Sequence, residues 1–247
     1  MKTEMFLGID GGGSKTTGVI IDGQGRILTQ CRGPSSAIKG CPSAQSCAVL
    51  QDMLSRLLLD AGAQRDNIRM GAIGLNGVDF PSEYSMQHRE ISQTIGIPVE
   101  RLALVNDGIA ALWGATSESA AAIIQLGSGF TAAFRSGHGH EMLFDHLNVG
   151  RSFDLRGELI ALVARMIDGR AESTPLKAVA LKHFGINSEN EYAEAIYTGR
   201  VNHIKNTPPL VFQAWQDEDP AATGLIHRMA DDLMNTCLLY TSDAADE

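Results

Sequence analysis

The 247-residue sequence reads as a two-domain α/β protein, and three features carry that reading. Short β-rich apolar runs alternate with helical periodicity. The first three runs are joined by glycine turns, and the strand, glycine turn, strand arrangement of the N-terminus returns after residue 120. Phe6-Leu-Gly-Ile-Asp10, Thr16-Thr-Gly-Val-Ile-Ile21 and Arg26-Ile-Leu-Thr-Gln-Cys31 predict an antiparallel meander. Ala44, Cys47, Ala48, Leu50, Met53, Leu54, Leu57 and Leu58 then recur at helical spacing over 43–61, and Gly62 suits a C-cap. Met70-Gly-Ala-Ile-Gly-Leu75 and Leu102-Ala-Leu-Val105 follow helical or turn segments, as parallel strands do, so the first unit is βββαβαβ. A linking helix is expected over 108–116. Ala120-Ala-Ala-Ile-Ile-Gln-Leu126 and Phe130-Thr-Ala-Ala-Phe-Arg135, joined by Gly127-Ser-Gly129, predict a second, related domain. Beyond Phe153 the chain reads as helical, with Leu159, Leu162, Val163, Met166 and Ile167 on one face and further helices near 175–184, 189–198 and 220–235. The expected domains are therefore 1–107 and 108–236.

Composition narrows the function. With 44% hydrophobic and 20% charged residues the chain can bury a core, and a net charge of −9 argues against a nucleic-acid partner or an anionic membrane surface. The first residues resemble no signal peptide and no apolar run reaches 18 residues, which predicts a cytoplasmic protein. Cys31, Cys41 and Cys47 have no Cys-x-x-Cys spacing and read as free thiols. His138, His140 and His146 could bind a metal in principle, but a polar hairpin turn is the plainer reading; Trp113 and Trp215 read as packing residues.

The glycine-rich segments carry the chemistry. Gly8-Ile-Asp-Gly-Gly-Gly-Ser-Lys-Thr16 is not a P-loop, because Ser14 precedes Lys15 where that motif needs Gly-Lys-Ser/Thr. It is not a dinucleotide fingerprint either, since both of those loops open a helix, whereas Thr16 to Ile21 is β-branched. A glycine turn between antiparallel strands still holds phosphate through successive backbone N–H groups, and an Asp at the end of the first strand can orient Mg²⁺ through water. Asn106-Asp107-Gly108, at the end of a strand, reads locally as a turn closed by an Asx bond.

Five ordered motifs resemble a known family: Leu7-Gly-Ile-Asp-Gly-Gly-Gly-Ser-Lys-Thr16, Gly33-Pro-Ser-Ser36, Ala72-Ile-Gly-Leu-Asn-Gly-Val78, Leu104-Val-Asn-Asp107 and Ile124-Gln-Leu-Gly-Ser-Gly129. They are similar to the N-acetylglucosamine kinase-like branch of the BadF/BadG/BcrA/BcrD ATPase family. The resemblance covers most of residues 5–170 and implies the two-domain actin/hexokinase/Hsp70-like (ribonuclease H-like) fold. It implies ATP and Mg²⁺ as cofactors and a small-molecule sugar, an amino sugar foremost, as substrate. Carried over by position, Asp10 would orient Mg²⁺. Gly12, Gly13, Ser14, Lys15 and Thr16 would form the first phosphate loop, and Gly127, Ser128 and Gly129 the second. Asp107 would be the base, and Ser36, Asn106 and Asp154 would contact the sugar. Gly169 and Arg170 also resemble the family's helical region. A hinge is expected over 107–116, and a homodimer is left open.

The chain departs from the family after the second loop. Where members carry Gly-Trp-Gly and then Gly-Asp-Glu-Gly-Ser, it has Leu147-Asn-Val-Gly-Arg-Ser-Phe-Asp-Leu-Arg-Gly-Glu158, in which Asp154 and Gly157 match. Asp154 therefore reads equally as the N-cap of the next helix, and Glu158 as a first-turn acid. The family's iron–sulfur activators place a Cys before the second loop. This chain has Ile123-Ile-Gln-Leu-Gly127 there, which sets an ATPase activator and a catalytically silent sugar sensor behind a kinase. Finally, Cys237-Leu-Leu-Tyr-Thr-Ser-Asp-Ala-Ala-Asp-Glu247 resembles the translation of a transposon-derived sequencing adapter at all eleven positions. Residues 237–247 are thus expected to be an artefactual tail and the gene to be cut near Asn235 or Thr236, leaving the second domain truncated. An adenine pocket supplied by later residues would then be missing, with ATP binding and activity weak or absent in this chain.

Overall fold

The computed structural model describes residues 4–126, 130–143, 154–204 and 206–241. The chain falls into two compact units, Met1–Asp145 and His146–Glu247.

The first unit is built on a five-stranded sheet of order β3-β2-β1-β4-β5. β1 (Met5–Gly11), β2 (Lys15–Asp22) and β3 (Ile27–Pro34) form the expected antiparallel meander. β4 (Ile68–Leu75) and β5 (Leu102–Val105) add in parallel to β1. The sheet's core includes Leu7, Ile9, Ile20, Ile73 and Leu104. Helix α1 (Ala44–Asp60) covers it with Leu50, Met53, Leu54 and Leu57, each at most 1% exposed. Ser43 starts α1 by accepting the Ser46 amide at 3.0 Å. α2 (Pro81–Ile95) opens on a proline, ends on Gly96 in the left-handed conformation and buries Ile91 and Ile95.

A second sheet, β6 (Ala121–Leu126), β7 (Phe130–Arg135) and β8 (Glu141–Leu143), repeats the antiparallel meander. α3 (Asp107–Ala115) lies between the sheets, with Ile109 and Leu112 in a small core with Ala133. Two glycines permit that close approach. A Cβ on Gly74 of β4 would run into Ala110, and one on Gly108 into Thr131 of β7. Because α3 packs on both sheets, the contacts divide at residues 145/146 and not at 107/108, and the second meander joins the first unit. His138 and His140 lie at a hairpin turn as expected: Ser136 donates through its amide to the His140 carbonyl at 2.8 Å, across a turn at 137–139. Among the described residues no His, Cys, Asp or Glu cluster could hold a metal, and His146 lies outside them.

The second unit is helical: α4 (Leu155–Ile167), α5 (Pro175–His183), α6 (Glu189–Tyr197), α7 (Thr207–Gln216) and α8 (Pro220–Thr241). The predicted α4 face is buried at Leu159, Leu162, Val163 and Met166. α8 continues to Thr241, past the expected end at 235. No described helix is long and apolar enough to cross a membrane. Asp219 joins two helix starts. Its carboxylate accepts from the Leu176 amide and the Thr174 hydroxyl, both at 3.0 Å, and from the amides of Ala221 at 2.9 Å and Ala222 at 3.1 Å. Asp219→Ala would strand those buried donors, and we expect a loss of about 2 kcal/mol, read as a lower urea midpoint at unchanged slope. Asp219→Asn should recover only part of that loss, since its single side-chain oxygen can still accept at one helix start while its Nδ2 faces the Leu176 amide donor.

Asp22 closes the β2–β3 turn. Burial alone would raise its carboxyl. The Arg26 amide and guanidinium and the Gln24 amide more than offset that, so it ionises below the usual carboxylate range. A value depressed by folding contributes stability above the unfolded value and loses it as pH falls through the folded one. Asp22→Asn should therefore flatten the fall in urea midpoint below about pH 4, where the wild type steepens.

Candidate functional site

The site grows from strand register. Asp10 of β1 faces Gly74 of β4, and Gly74 faces Val105 of β5, so all three parallel strands end at one edge. At a strand spacing of about 4.8 Å, Asp10 and Val105 stand about 10 Å apart. The residues just beyond the strands are the Gly11–Ser14 turn, the Asn76–Asp79 turn and Asn106-Asp107. Ligands gather outside the carboxyl ends of such strands.

The first turn is tight, with the Gly12 amide donating to the Lys15 carbonyl at 3.0 Å. It presents Gly13, Ser14 and Lys15 to solvent beside the exposed Asp10. That donor set fits the group it was read for: backbone amides and an ammonium suit phosphate oxygens, and a carboxylate suits a divalent cation. Thr16 differs. It is 0% exposed, donates through Oγ1 to the Pro34 carbonyl at 2.7 Å and shares a hydrogen bond with Ser36 Oγ at 2.8 Å, so its side chain is spent inside the protein. Ser36 is likewise 0% exposed, and its Oγ pairs with Thr16, so it braces the turn. The brace is continuous. Ser35 Oγ donates to the Gly12 carbonyl at 2.9 Å, the Asn76 amide to the Gly11 carbonyl at 2.9 Å, and the Ile38 amide to the Asn76 carbonyl at 2.9 Å. Gln87 of α2 ties the same loops, donating to the carbonyls of Gly40 at 2.8 Å and Gly77 at 3.1 Å.

Asn106 is the N-cap of α3 and Asp107 its first residue. The expected Asx bond is present. Asn106 Oδ1 accepts the Gly108 amide at 2.7 Å, which is the Asx bond, and the half-buried Asp107 stands on the helix start, where Oδ1 shares the same amide at 3.1 Å. The far end of α3 is clasped to the second sheet. Arg135, 2% exposed, donates to the carbonyls of Thr116 and Glu118 and stacks 3.7 Å from the Trp113 ring centroid, while Trp113 Nε1 donates to Glu141. Trp113 itself is 54% exposed, so it is a cation-stacking lid and not a core residue.

Sequence reasoning missed Asp79. Its Oδ1 accepts Asn106 Nδ2 at 2.7 Å. The clue was topological: β4 and β5 are parallel neighbours, so polar residues just past each end meet. Asp79, Asn106, Phe80, Tyr84, Glu141 and Leu143 are among the residues lining a cavity of about 470 Å³. Gly127, Ser128 and Gly129 lie outside the described residues. Asp154 belongs to the other unit, at the N-cap position of α4, with no capping bond from its side chain. Glu158 is in the first turn of α4 and pairs with Arg228 at 3.7 Å, and Arg170 pairs with Asp168 at 2.6 Å.

A glycine turn from a meander and a carboxylate at the head of the helix behind a parallel strand lie at one sheet edge, in a mixed α/β fold of the actin and hexokinase type. Known structures agree on the fold. The chain matches a candidate N-acetylglucosamine kinase from Chromobacterium violaceum with a TM-score of 0.72 at 22% identity, over 98% of this chain and 84% of that one. A ROK-family glucokinase from Streptomyces griseus, in complex with glucose and AMPPNP, matches at 0.53 and 18%, over 96% and 80%. The sequence pattern of the BadF/BadG/BcrA/BcrD ATPase family matches residues 7–208, and the chain belongs to that family. Among curated relatives it is 23% identical to an N-acetyl-D-glucosamine kinase of Dictyostelium discoideum, over 96% of this chain and 80% of that protein. It is 25% identical to an N-acetylmuramic acid/N-acetylglucosamine kinase of Clostridium acetobutylicum, over 79% of this chain and 65% of that protein's length.

Proposed function

We propose that the protein is a cytoplasmic kinase that moves the γ-phosphoryl group of ATP to a sugar hydroxyl, with N-acetylglucosamine or glucosamine as the preferred acceptor. What supports this reading is the shared edge: the Asp10 turn and the Asp107 helix start follow the same ends of the parallel strands on either side of β4. Gly12, Gly13, Ser14 and Lys15 would hold phosphate oxygens and Asp10 would hold Mg²⁺, which when bound supplies charge neutralisation on those oxygens. Gly127, Ser128 and Gly129 would form the partner loop. Asp107 accepts the proton of the attacking hydroxyl, and Asn106 and Asp154 would contribute to sugar recognition. Two curated relatives are kinases of N-acetylated amino sugars, which supports the acceptor class.

The test is phosphorylation by the full gene product with ATP and Mg²⁺ against N-acetylglucosamine, glucosamine, glucose and no sugar. Product formation that needs an amino sugar is the expected result. ATP hydrolysis indifferent to sugar would move the reading to an ATPase activator, and sugar binding without turnover to a silent sensor.

A further inference from the structure

We infer that the cavity beside the start of α3 is the subsite for an N-acyl substituent of the acceptor sugar, with Tyr84 and Met142 on its rim setting how long an acyl chain it admits. The inference rests on the kinase reading above and settles on the acylated amine where that reading allows a free one as well. Asn106, proposed there to meet the sugar, also lines the cavity. The space therefore begins one residue, about 3.8 Å along the chain, from the group proposed as the base.

The cavity is mainly apolar. Leu104 and Ile109 give it a floor that is 1% and 7% exposed, while Phe80, Tyr84 and Met142 stand around it with much of their surface in water. Large apolar side chains gathered around one hollow mark a surface built to be covered. At about 470 Å³ the cavity is on the scale that encloses small ligands, so an acetyl group would leave room to spare. A free ammonium would have to shed its hydration over that floor, whereas each methylene of an acyl chain gains from the same burial. Glu141 supplies a polar contact on the wall. Its carboxylate accepts from Trp113 Nε1 and keeps further acceptor sites, which suit the N–H of an N-acyl group. Glu141 also faces Arg135 across the β7–β8 register, and the Arg135 guanidinium lies on the Trp113 ring, so the carboxylate is held from behind.

The experiment offers the full gene product glucosamine and its N-acetyl, N-propanoyl and N-butanoyl derivatives with ATP and Mg²⁺, in wild type, Met142→Trp and Tyr84→Trp. The readout is the ratio of kcat/KM between acceptors within each protein, so a general loss of activity or of folded fraction cancels. We expect wild type to gain about 2- to 4-fold per added methylene, the upper figure being the value of full burial. Glucosamine should be used at least 10-fold less well than its N-acetyl derivative. Either larger side chain fills the cavity from its exposed rim, so both variants should reverse the order, with N-butanoyl at least 10-fold below N-acetyl. A preference for the free amine, a rate indifferent to acyl length, or an order left unchanged in a folded variant overturns the proposal. Binding without ATP is followed separately by the fluorescence of Trp113, whose indole is bonded to Glu141, in a Trp215→Phe background that leaves it the single tryptophan. Affinity that rises with acyl length in a protein without phosphotransfer keeps the subsite and overturns the kinase reading. Phosphotransfer with affinity independent of acyl length does the reverse.

Discussion

Asp107→Asn is expected to lower kcat about 1000-fold while KM for ATP stays within 2-fold of wild type. The amide fills the same space at the first position of α3 but cannot accept the proton that the sugar hydroxyl must lose, and general-base catalysis of this kind is worth about 10²- to 10⁴-fold. The nucleotide side should be spared, because the turn at Gly11–Ser14 is braced by Ser35, Thr16 and Asn76, none of which touches Asp107 through the bonds described. Folding should change little, with at most about 1 kcal/mol lost from the carboxylate's interaction with the helix start. Steady-state kinetics beside a urea melt check both halves. A variant that kept its sugar-dependent rate would remove Asp107 from the chemistry.

Gly77→Ala is expected to act on stability and sugar affinity together. Gly77 has φ +98°, and a Cβ there would drive into the Ile38 carbonyl and approach Ile38 Cγ1 at 3.0 Å. Backbone strain and overpacking together should cost about 3 kcal/mol. The position is also a junction, since the Gly77 carbonyl accepts from Gln87 and the neighbouring Asn76 bonds both Gly11 and Ile38. Shifting it should move the loop from 34 to 40 and the turn that carries Asp79. We expect a lower urea midpoint and, in the folded fraction, a KM for sugar raised more than KM for ATP. An unchanged midpoint would show that the turn at 76–77 can relax without the loop.

The fold was legible where chemistry and period agree. Leu102-Ala-Leu-Val105 and Phe130-Thr-Ala-Ala-Phe-Arg135 are strands over those residues, and the α1 pattern ended one residue from the observed helix. α2 was the weak element, because Ser82, Glu83, Ser85, Gln87, His88, Arg89 and Glu90 leave few apolar residues to show a period, although Pro81 and Gly96 mark its ends. The place of the second meander was not legible either. Nothing local says that α3 will bury one side on β4 and the other on β7. Site residues split the same way. Asp10, Asn106 and Asp107 stand at strand ends that the apolar runs already mark, whereas the burial of Ser36 against Thr16 is a tertiary fact that no local pattern shows. Asp79 was hidden because its partner is 27 residues away and is met only across two parallel strands.

The hydroxyl pair of Thr16 and Ser36 fastens the segment expected to hold nucleotide to the one expected to lie beside sugar. Fastened parts cannot be retuned one at a time. Any lineage or library that reshapes residues 35–38 to admit a different acceptor pulls on the strand that opens behind the phosphate turn, so acceptor range and nucleotide affinity should drift together. Substitutions that broaden one without weakening the other should cluster away from this seam, at positions such as Tyr84 and Met142 on the cavity wall.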